Sequence, residues 1–230
     1  MKIAVYCGTR NIYHDMIPSL KSLLIHSSVE KVYFLIEDDN FPEYLPPIVE
    51  CINVSQQTIF KRSGPNYANA WTYMVLMRAA LTKVLPQSLD RVLSLDCDTI
   101  ILQDIAELWD INLTNYYLAG VKEPKKSNPY YSYVNMGVVM FNLEKLRADK
   151  KDNEIIYCLN NKHYHFNEQD CINIRCAGKI LPISNIYNAN AYTGLPQNLK
   201  IRHYAASRIW QSKPLVQKYG AIPWEEIRKC

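Results

Sequence analysis

The chain has 230 residues, 48% of them hydrophobic, enough to build one α/β domain of ordinary size around its own core. Its formal charge of +4, from 26 Lys and Arg against 22 Asp and Glu, suits an anionic small substrate or surface but excludes the strongly basic footprint of a nucleic-acid binder. Seven cysteines, an odd number with no Cys-x-x-Cys pair, argue against a disulfide frame and fit free thiols in a reducing cytoplasm.

Short apolar runs alternate with longer helical patterns, the mark of β-α-β construction. The start, Met1-Lys-Ile-Ala-Val-Tyr-Cys7, reads as a first strand over Lys2–Cys7, without a signal-peptide apolar region or cleavage site. Gly8-Thr9-Arg10-Asn11 turns the chain, and Met16–His26 reads as a helix with Ile17, Leu20 and Leu24 on one face. Lys31–Glu37 is a second strand, closed by Asp38-Asp39-Asn40, and Cys51–Val54 a short third. Tyr67–Leu85, rich in apolar residues and ended by Pro86, is expected to be the longest helix, largely buried, with Arg78 standing out inside it. Arg91–Leu95 is the central strand, followed by a short helix at Asp104–Leu108 and strands at Tyr117–Val121 and Val134–Asn142. Leu143–Arg147 opens a helix and Glu168–Arg175 forms another. Lys179–Leu181 and Ile201–Tyr204 are the last strands. No run approaches the ~18 continuous apolar residues of a membrane span. No repeat or linker divides residues 1–230, which read as a single domain.

The chemistry concentrates at Asp96-Cys97-Asp98, where the apolar run Arg91–Leu95 gives out. Two carboxylates one residue apart can converge on a hard divalent cation that keeps open positions, which is what a diphosphate needs as a clamp. Asp-x-Asp also arises by chance in acidic loops. Its position at the carboxyl end of a buried strand, where ligands gather in open α/β sheets, raises it above that background. His203 taken singly reads as a core or strand-end histidine. Joined to Asp96 and Asp98 it makes a mixed oxygen–nitrogen set suited to Mn²⁺ or Mg²⁺. His163 and His165 could share one side of a strand, but the Asn- and Tyr-rich loop around them reads as solvated surface. The first turn lacks Gly-x-Gly-x-x-Gly, which argues against a dinucleotide fold or a P-loop. Asn135, just before Gly137 in an apolar run, marks either a place where a ligand approaches the backbone or a bulge with Asn as its turn residue. Asn167-Glu168-Gln169-Asp170 reads as a helix start with Asn167 as its cap.

Taken in order, these segments resemble the family-8 glycosyltransferases of the GT-A fold, over roughly Ile3 to Pro214. The pieces are Leu95-Asp96-Cys97-Asp98-Thr99-Ile100 (the family's Leu-Asp-x-Asp-x-hydrophobic), Tyr133-Val134-Asn135-Met136-Gly137-Val138 (Phe-Asn-Ser/Ala-Gly-Val), Asn167-Glu168-Gln169-Asp170 (Asp-Gln-Asp) and Ile201-Arg202-His203-Tyr204 (the His-Tyr/Phe ending). The resemblance implies an α/β GT-A fold with a mostly parallel central sheet, a donor-binding half at about 1–120 and an acceptor-side half at about 121–230. It implies a retaining, Mn²⁺-dependent enzyme, with Mg²⁺ as the alternative metal. Such an enzyme moves a hexose, glucose or galactose, from a UDP-sugar to a hydroxyl of a glycan, glycoprotein or lipid-linked acceptor. No nucleic acid is expected as partner. A peripheral place at the inner face of a membrane is compatible with Trp224, Arg228 and Lys229 but is not called for.

Residue by residue, the resemblance makes Asp96, Asp98 and His203 the metal ligands, with Cys97 in the same donor-binding loop. Thr9, Arg10 and Tyr13 fall where relatives hold the uridine, Tyr13 matching the ring that packs on uracil. Arg78 matches the cation touching donor sugar and phosphate. Glu123, Asn135, Glu168 and Gln169 match the donor-sugar set, Gln169 near the β-face of the anomeric carbon. The acceptor side falls to Ile183–Leu199, with Asn185, Tyr187, Asn188, Asn190 and Tyr192. The closing motif departs from the family's His-x-x-Gly-x-x-Lys-Pro-Trp. It reads His203-Tyr204-Ala205-Ala206-Ser207-Arg208-Ile209-Trp210, with Ala for Gly and Ile for Lys, leaving Arg208 or Lys213 to supply the phosphate-binding charge. Glu123 and Glu168 are each one methylene longer than the family's Asp. The group expected to carry the reaction is Gln169, Arg78, Glu168, Asp96 and Asp98. Double displacement needs a carboxylate on the β-face; Gln169 is a poor nucleophile, which favours front-face transfer. Two rival readings remain. A non-catalytic sugar-nucleotide-binding protein is supported by the altered closing motif. A nucleotidyltransferase would open with a Gly-rich basic loop, for which Gly8-Thr9-Arg10 is too slight.

Overall fold

The structure, a computed structural model, describes residues 1–69, 71–127 and 131–227, so Arg228, Lys229 and Cys230 lie outside the described residues. In chain order come β1 (Ile3–Cys7), α1 (Tyr13–His26), β2 (Lys31–Ile36), β3 (Val49–Asn53), a 3₁₀ helix (Tyr73–Ala80) running into α2 (Leu81–Val84), β4 (Arg91–Leu95) and β5 (Thr99–Ile101). There follow β6 (Leu118–Lys122), β7 (Val134–Asn142), α3 (Leu143–Ala148), α4 (Lys151–Asn161), α5 (Asn167–Arg175), β8 (Ile180–Ile183), β9 (Ile201–His203), α6 (Pro214–Ala221) and α7 (Trp224–Ile227).

One seven-stranded sheet runs β3-β2-β1-β4-β7-β6-β8 and so draws strands from both halves of the chain. Only β7 runs antiparallel to its neighbours β4 and β6; the other pairings are parallel. The sheet is covered on both faces, which is why its central strands are apolar without alternation. Successive residues point to opposite layers. Val5, Leu35, Val92 and Val139 pack against Met77, Leu81, Ile155 and Ile172. Ala4, Phe34, Leu93 and Val138 pack against Leu20 and Leu23 of α1. This is the mostly parallel α/β sheet that the resemblance led one to expect.

The sequence-based expectation fails most clearly at Tyr67–Leu85. There Thr72 has φ 65°, a 3₁₀ helix follows it, and only four residues are α-helical. The cause is side-chain competition for the backbone. Asn69 donates to Asn66 O (2.7 Å) and Thr72 O (3.1 Å) and accepts from the Trp71 N–H (2.8 Å). Buried Asn66 is tied to Leu159 O, Lys162 O and the Tyr164 N–H. Apolar content there reports burial, not helical period. Asp104–Leu108 shrinks to one 3₁₀ turn, Ala106–Leu108. The helix opened by Leu143 breaks at Lys150 (φ 53°) and restarts as the unforeseen α4. Asn167 makes no cap hydrogen bond and itself has φ 46°; Asp170 instead accepts the Phe166 N–H at 2.8 Å. Among the described residues no helix is long and apolar enough to cross a membrane, and the six described cysteines are free thiols.

Candidate active site

Backbone pairing brings the distant motifs together. β4 ends at Leu95, and the next three residues turn tightly into β5. The Asp96 carbonyl accepts from the Thr99 N–H (3.2 Å) and from the Thr99 hydroxyl (2.7 Å). β5 then pairs antiparallel with β9, setting Thr99 opposite His203. The Tyr204 N–H donates to Asp98 O at 3.0 Å, and the Asp96 N–H to Gly137 O at 2.8 Å. Residues about a hundred positions apart are thereby held by main chain alone.

The result is a cluster of Asp96, Asp98 and His203 whose candidate ligand atoms all lie within 4.8 Å of one another. His203 Nε2 is 3.1 Å from Asp98 Oδ1 and 3.7 Å from Asp96 Oδ2. The imidazole is only 3% exposed. Burial pulls its pKa down, but Asp98 and then Asp96 outweigh that, and the net direction is up. Two carboxylate oxygens and one imidazole nitrogen, converging and partly open to solvent, fit a divalent cation such as Mn²⁺. Gly137 makes the convergence sterically feasible. A Cβ there would stand 2.2 Å from His203 Cε1 and 2.9 Å from Asp96 Oδ2. The close approach expected at Asn135–Gly137 is therefore made by the histidine ring and Asp96 themselves.

Beside the cluster lies buried Arg78, which donates to Asp96 and, at 3.0 Å, to Glu168 Oε1. Burial depresses its basicity, while Asp96 and Glu168 raise it further, so it stays charged. Burial pushes Glu168 up to about 7 against the pull of Arg78, and Asp96 adds to the rise. Asn135 donates to Glu123 Oε1 at 2.8 Å. Gln169 accepts the Met136 N–H at 3.0 Å and donates to the Tyr133 hydroxyl at 3.1 Å.

These groups line an open cleft of about 400 Å³. Thr9, Arg78, Asp96, Cys97, Asp98, Glu123, Asn135, Glu168, Gln169 and His203 all border it. Four residues expected on the donor side do not. Arg10 and Tyr13 line a separate hollow with Asp38, Asp39, Asn40 and Pro42. Arg10 Nε donates to both Asp38 oxygens at 2.8 Å. Tyr13 is 3% exposed, its ring 5.0 Å from Phe41 and its hydroxyl held by Asp38 and the Glu37 N–H, so neither face is open to a base. Arg208 is exposed and Lys213 half-buried, and neither borders the cleft. Of the acceptor-side residues, Asn188 and Asn190 are fully buried and Tyr187 donates to Glu107; only Tyr192 reaches the cleft.

Two cleft features escaped the sequence reading. Lys126 puts a second cation there, 3.5 Å from Glu123 Oε2 and 3.5 Å from the Phe166 ring centre. Its spacing from Glu123, three residues, was the available signal. Trp71, 55% exposed, stands at the rim with Tyr192, 47% exposed. The mistaken helix had hidden it. Ala206, which stands where the resemblance expects Gly, adopts φ 58°, a left-handed backbone conformation that favours glycine.

Comparison with known proteins agrees with this geometry. A putative glycosyltransferase of Haemophilus influenzae is 31% identical over 136 residues, 54% of this chain and 40% of that protein. Human xylosyl- and glucuronyltransferase LARGE1 is 28% identical over 173 residues, 64% of this chain and 23% of its own length. Glycosyltransferase GlyF of Streptococcus pneumoniae is 24% identical over 97% of this chain and 58% of its own. The chain thus spans less than two thirds of each of these relatives. The structure of GlyE from Streptococcus pneumoniae superposes with TM-score 0.75 at 17% identity, over 99% of this chain and 62% of that one. The galactosyltransferase LgtC, solved with donor and acceptor sugar analogues, superposes with TM-score 0.71 at 16% identity over the full length of both chains. The description Glycosyl transferase family 8 matches residues 3–210, from the first strand to beyond the histidine that completes the cluster, and the chain belongs to that family.

Proposed function

We propose that the chain is a retaining, metal-dependent glycosyltransferase that moves a hexose from a UDP-sugar to a hydroxyl of a glycan, glycoprotein or lipid-linked acceptor. The observation that carries this reading is the convergence of Asp96, Asp98 and His203 at the floor of a cleft that also holds Arg78. Asp96, Asp98 and His203 would hold Mn²⁺, or Mg²⁺, which supplies Lewis-acid stabilisation of a leaving diphosphate. Arg78, fixed by two carboxylates, places a permanent positive charge where the diphosphate gains negative charge in the transition state. Glu123, Asn135, Glu168 and Gln169 present oxygen and nitrogen atoms to sugar hydroxyls. Lys126, rather than Arg208 or Lys213, is the second cation bordering the cleft. The aromatic rim of Trp71 and Tyr192 supports an acceptor that offers a sugar ring to stack.

Gln169 is no nucleophile, and its amide is already engaged with backbone and Tyr133. This supports front-face transfer, with the departing phosphate oxygen taking the acceptor's proton; a trapped glycosyl adduct on a side chain would refute it. The test of the whole reading is a panel of UDP-sugars, including glucose, galactose, xylose and glucuronic acid, assayed for hydrolysis and transfer with Mn²⁺. Asp98→Asn should abolish both activities while leaving the circular dichroism spectrum intact. Retention of most activity by Asp98→Asn in the presence of chelator overturns the metal assignment. Tight donor binding with no transfer across an acceptor screen would favour the non-catalytic alternative.

A further inference from the structure

Behind His203 lie three asparagines that the sequence placed elsewhere or left open. Asn188 and Asn190 are 0% exposed and Asn135 is 6% exposed. Hydrogen-bond polarity among amides is ambiguous until something of fixed polarity anchors it. Here two backbone anchors exist. The Gly137 N–H can only donate, and it points at Asn135 at 3.0 Å, so the atom it meets is the amide oxygen. The Asn135 nitrogen then donates to Glu123 Oε1 at 2.8 Å. That same Asn135 oxygen lies 3.0 Å from the Asn188 side chain, which must present its nitrogen there. The Asn188 oxygen is therefore turned towards His203 Nδ1, at 2.7 Å. The second anchor is independent. The N–H groups of Tyr192 (2.8 Å) and Thr193 (3.1 Å) fix the Asn190 oxygen, so its nitrogen donates to the Asn188 oxygen at 2.9 Å.

The Asn190 nitrogen also lies 3.4 Å from that ring nitrogen, at the far limit of a hydrogen bond, so the amide oxygen at 2.7 Å is the partner that decides, and it requires a proton on Nδ1. We propose that Asn188 is a positioning residue which holds His203 as the Nδ1–H tautomer and thereby leaves the Nε2 lone pair for the metal. This rests on the metal reading given above. It goes beyond that reading by assigning the support of the third ligand to a residue that touches neither donor nor cation. Both partners are buried, and loss of the Asn188 oxygen removes the acceptor that fixes the ring's tautomer and its orientation.

Two measurements test it. The first is a long-range ¹H–¹⁵N spectrum of histidine-labelled, Mg²⁺-saturated protein, with only five histidines to assign. It should show His203 Nδ1 bearing the proton and Nε2 without one. A proton on Nε2 there overturns the proposal, and this result needs no variant. The second is Mn²⁺ titration followed by electron paramagnetic resonance. Asn188→Leu, close in size but without an acceptor, should weaken Mn²⁺ affinity by about 10- to 100-fold. Unchanged Mn²⁺ affinity in Asn188→Leu overturns the positioning role alone. A wild-type protein that binds no Mn²⁺ overturns the metal reading and this proposal with it.

Discussion

Gly137→Ala adds one methyl group and tests the steric basis of the site. The new Cβ would stand 2.2 Å from His203 Cε1 and 2.7 Å from Nδ1. Ordinary carbon–carbon contact begins at about 3.5 Å, so the ring must withdraw by more than ~1 Å. Withdrawal towards the cleft takes it off its support. Its Nδ1 is held at 2.7 Å by Asn188, and the ring and both supporting asparagines are buried. Metal sites tolerate ligand displacements of only about 0.2 Å, so the displaced histidine ceases to coordinate. Overpacking of a filled interior should also lower stability by about 1–3 kcal/mol, leaving a folded protein. We expect at least a roughly 100-fold loss of Mn²⁺ affinity by calorimetry, the upper part of the range for a misoriented ligand. Gly220→Ala is the control, because its added Cβ meets nothing nearer than Pro18 Cγ at 3.4 Å. Gly137→Ala with Mn²⁺ affinity within threefold of wild type would refute the proposed arrangement of Gly137, His203 and Asp96.

Three further outcomes are expected. Burial raises Glu168 in the folded state to about 7, above its ordinary value of 4.5. Between these pH values the unfolded chain releases a proton that the folded state keeps, so stability falls as pH rises through the window, by up to about 3 kcal/mol. Denaturant titrations of metal-free protein should show this slope reduced in Glu168→Gln, and an unchanged slope would assign it elsewhere. Ala206→Gly relieves an L residue at φ 58°, worth about 1–2 kcal/mol, against about 0.4–1 kcal/mol of added unfolded-state freedom. The melting temperature should rise by roughly 1–3 °C, and a fall would show that the loop tolerates alanine without strain. Trp71→Ala and Tyr192→Ala should each raise the KM for a glycan acceptor about tenfold, the equivalent of ~1.4 kcal/mol of lost stacking. Donor hydrolysis without acceptor should not change; equal losses in both assays would place these rings on the donor side.

Much of the architecture was legible in the amino-acid order because it is local. Ile3–Cys7, Lys31–Ile36 and Arg91–Leu95 are apolar on both faces, and that pattern survives only in a strand covered by two layers. Asp96 and Asp98 are the first and third residues past such a strand, so their place at its carboxyl end needed no long-range information. Tyr67–Leu85 misled for the opposite reason: its apolar residues record burial, while Asn66 and Asn69 redirect the backbone through partners that composition does not reveal. Tyr13 and Asn188 carry functional-looking side chains, yet which way each faces depends on Phe41 in one case and Asn135 in the other. Tertiary structure alone decided that His203 meets the carboxylates, through the β5–β9 register, and that Gly137 clears the space for it. Periodicity encodes which residues are buried and in what kind of element, because burial acts on neighbours a few positions apart. The meeting of side chains a hundred residues apart depends on strand pairing and on the space left between packed layers, which exist only once the chain has folded.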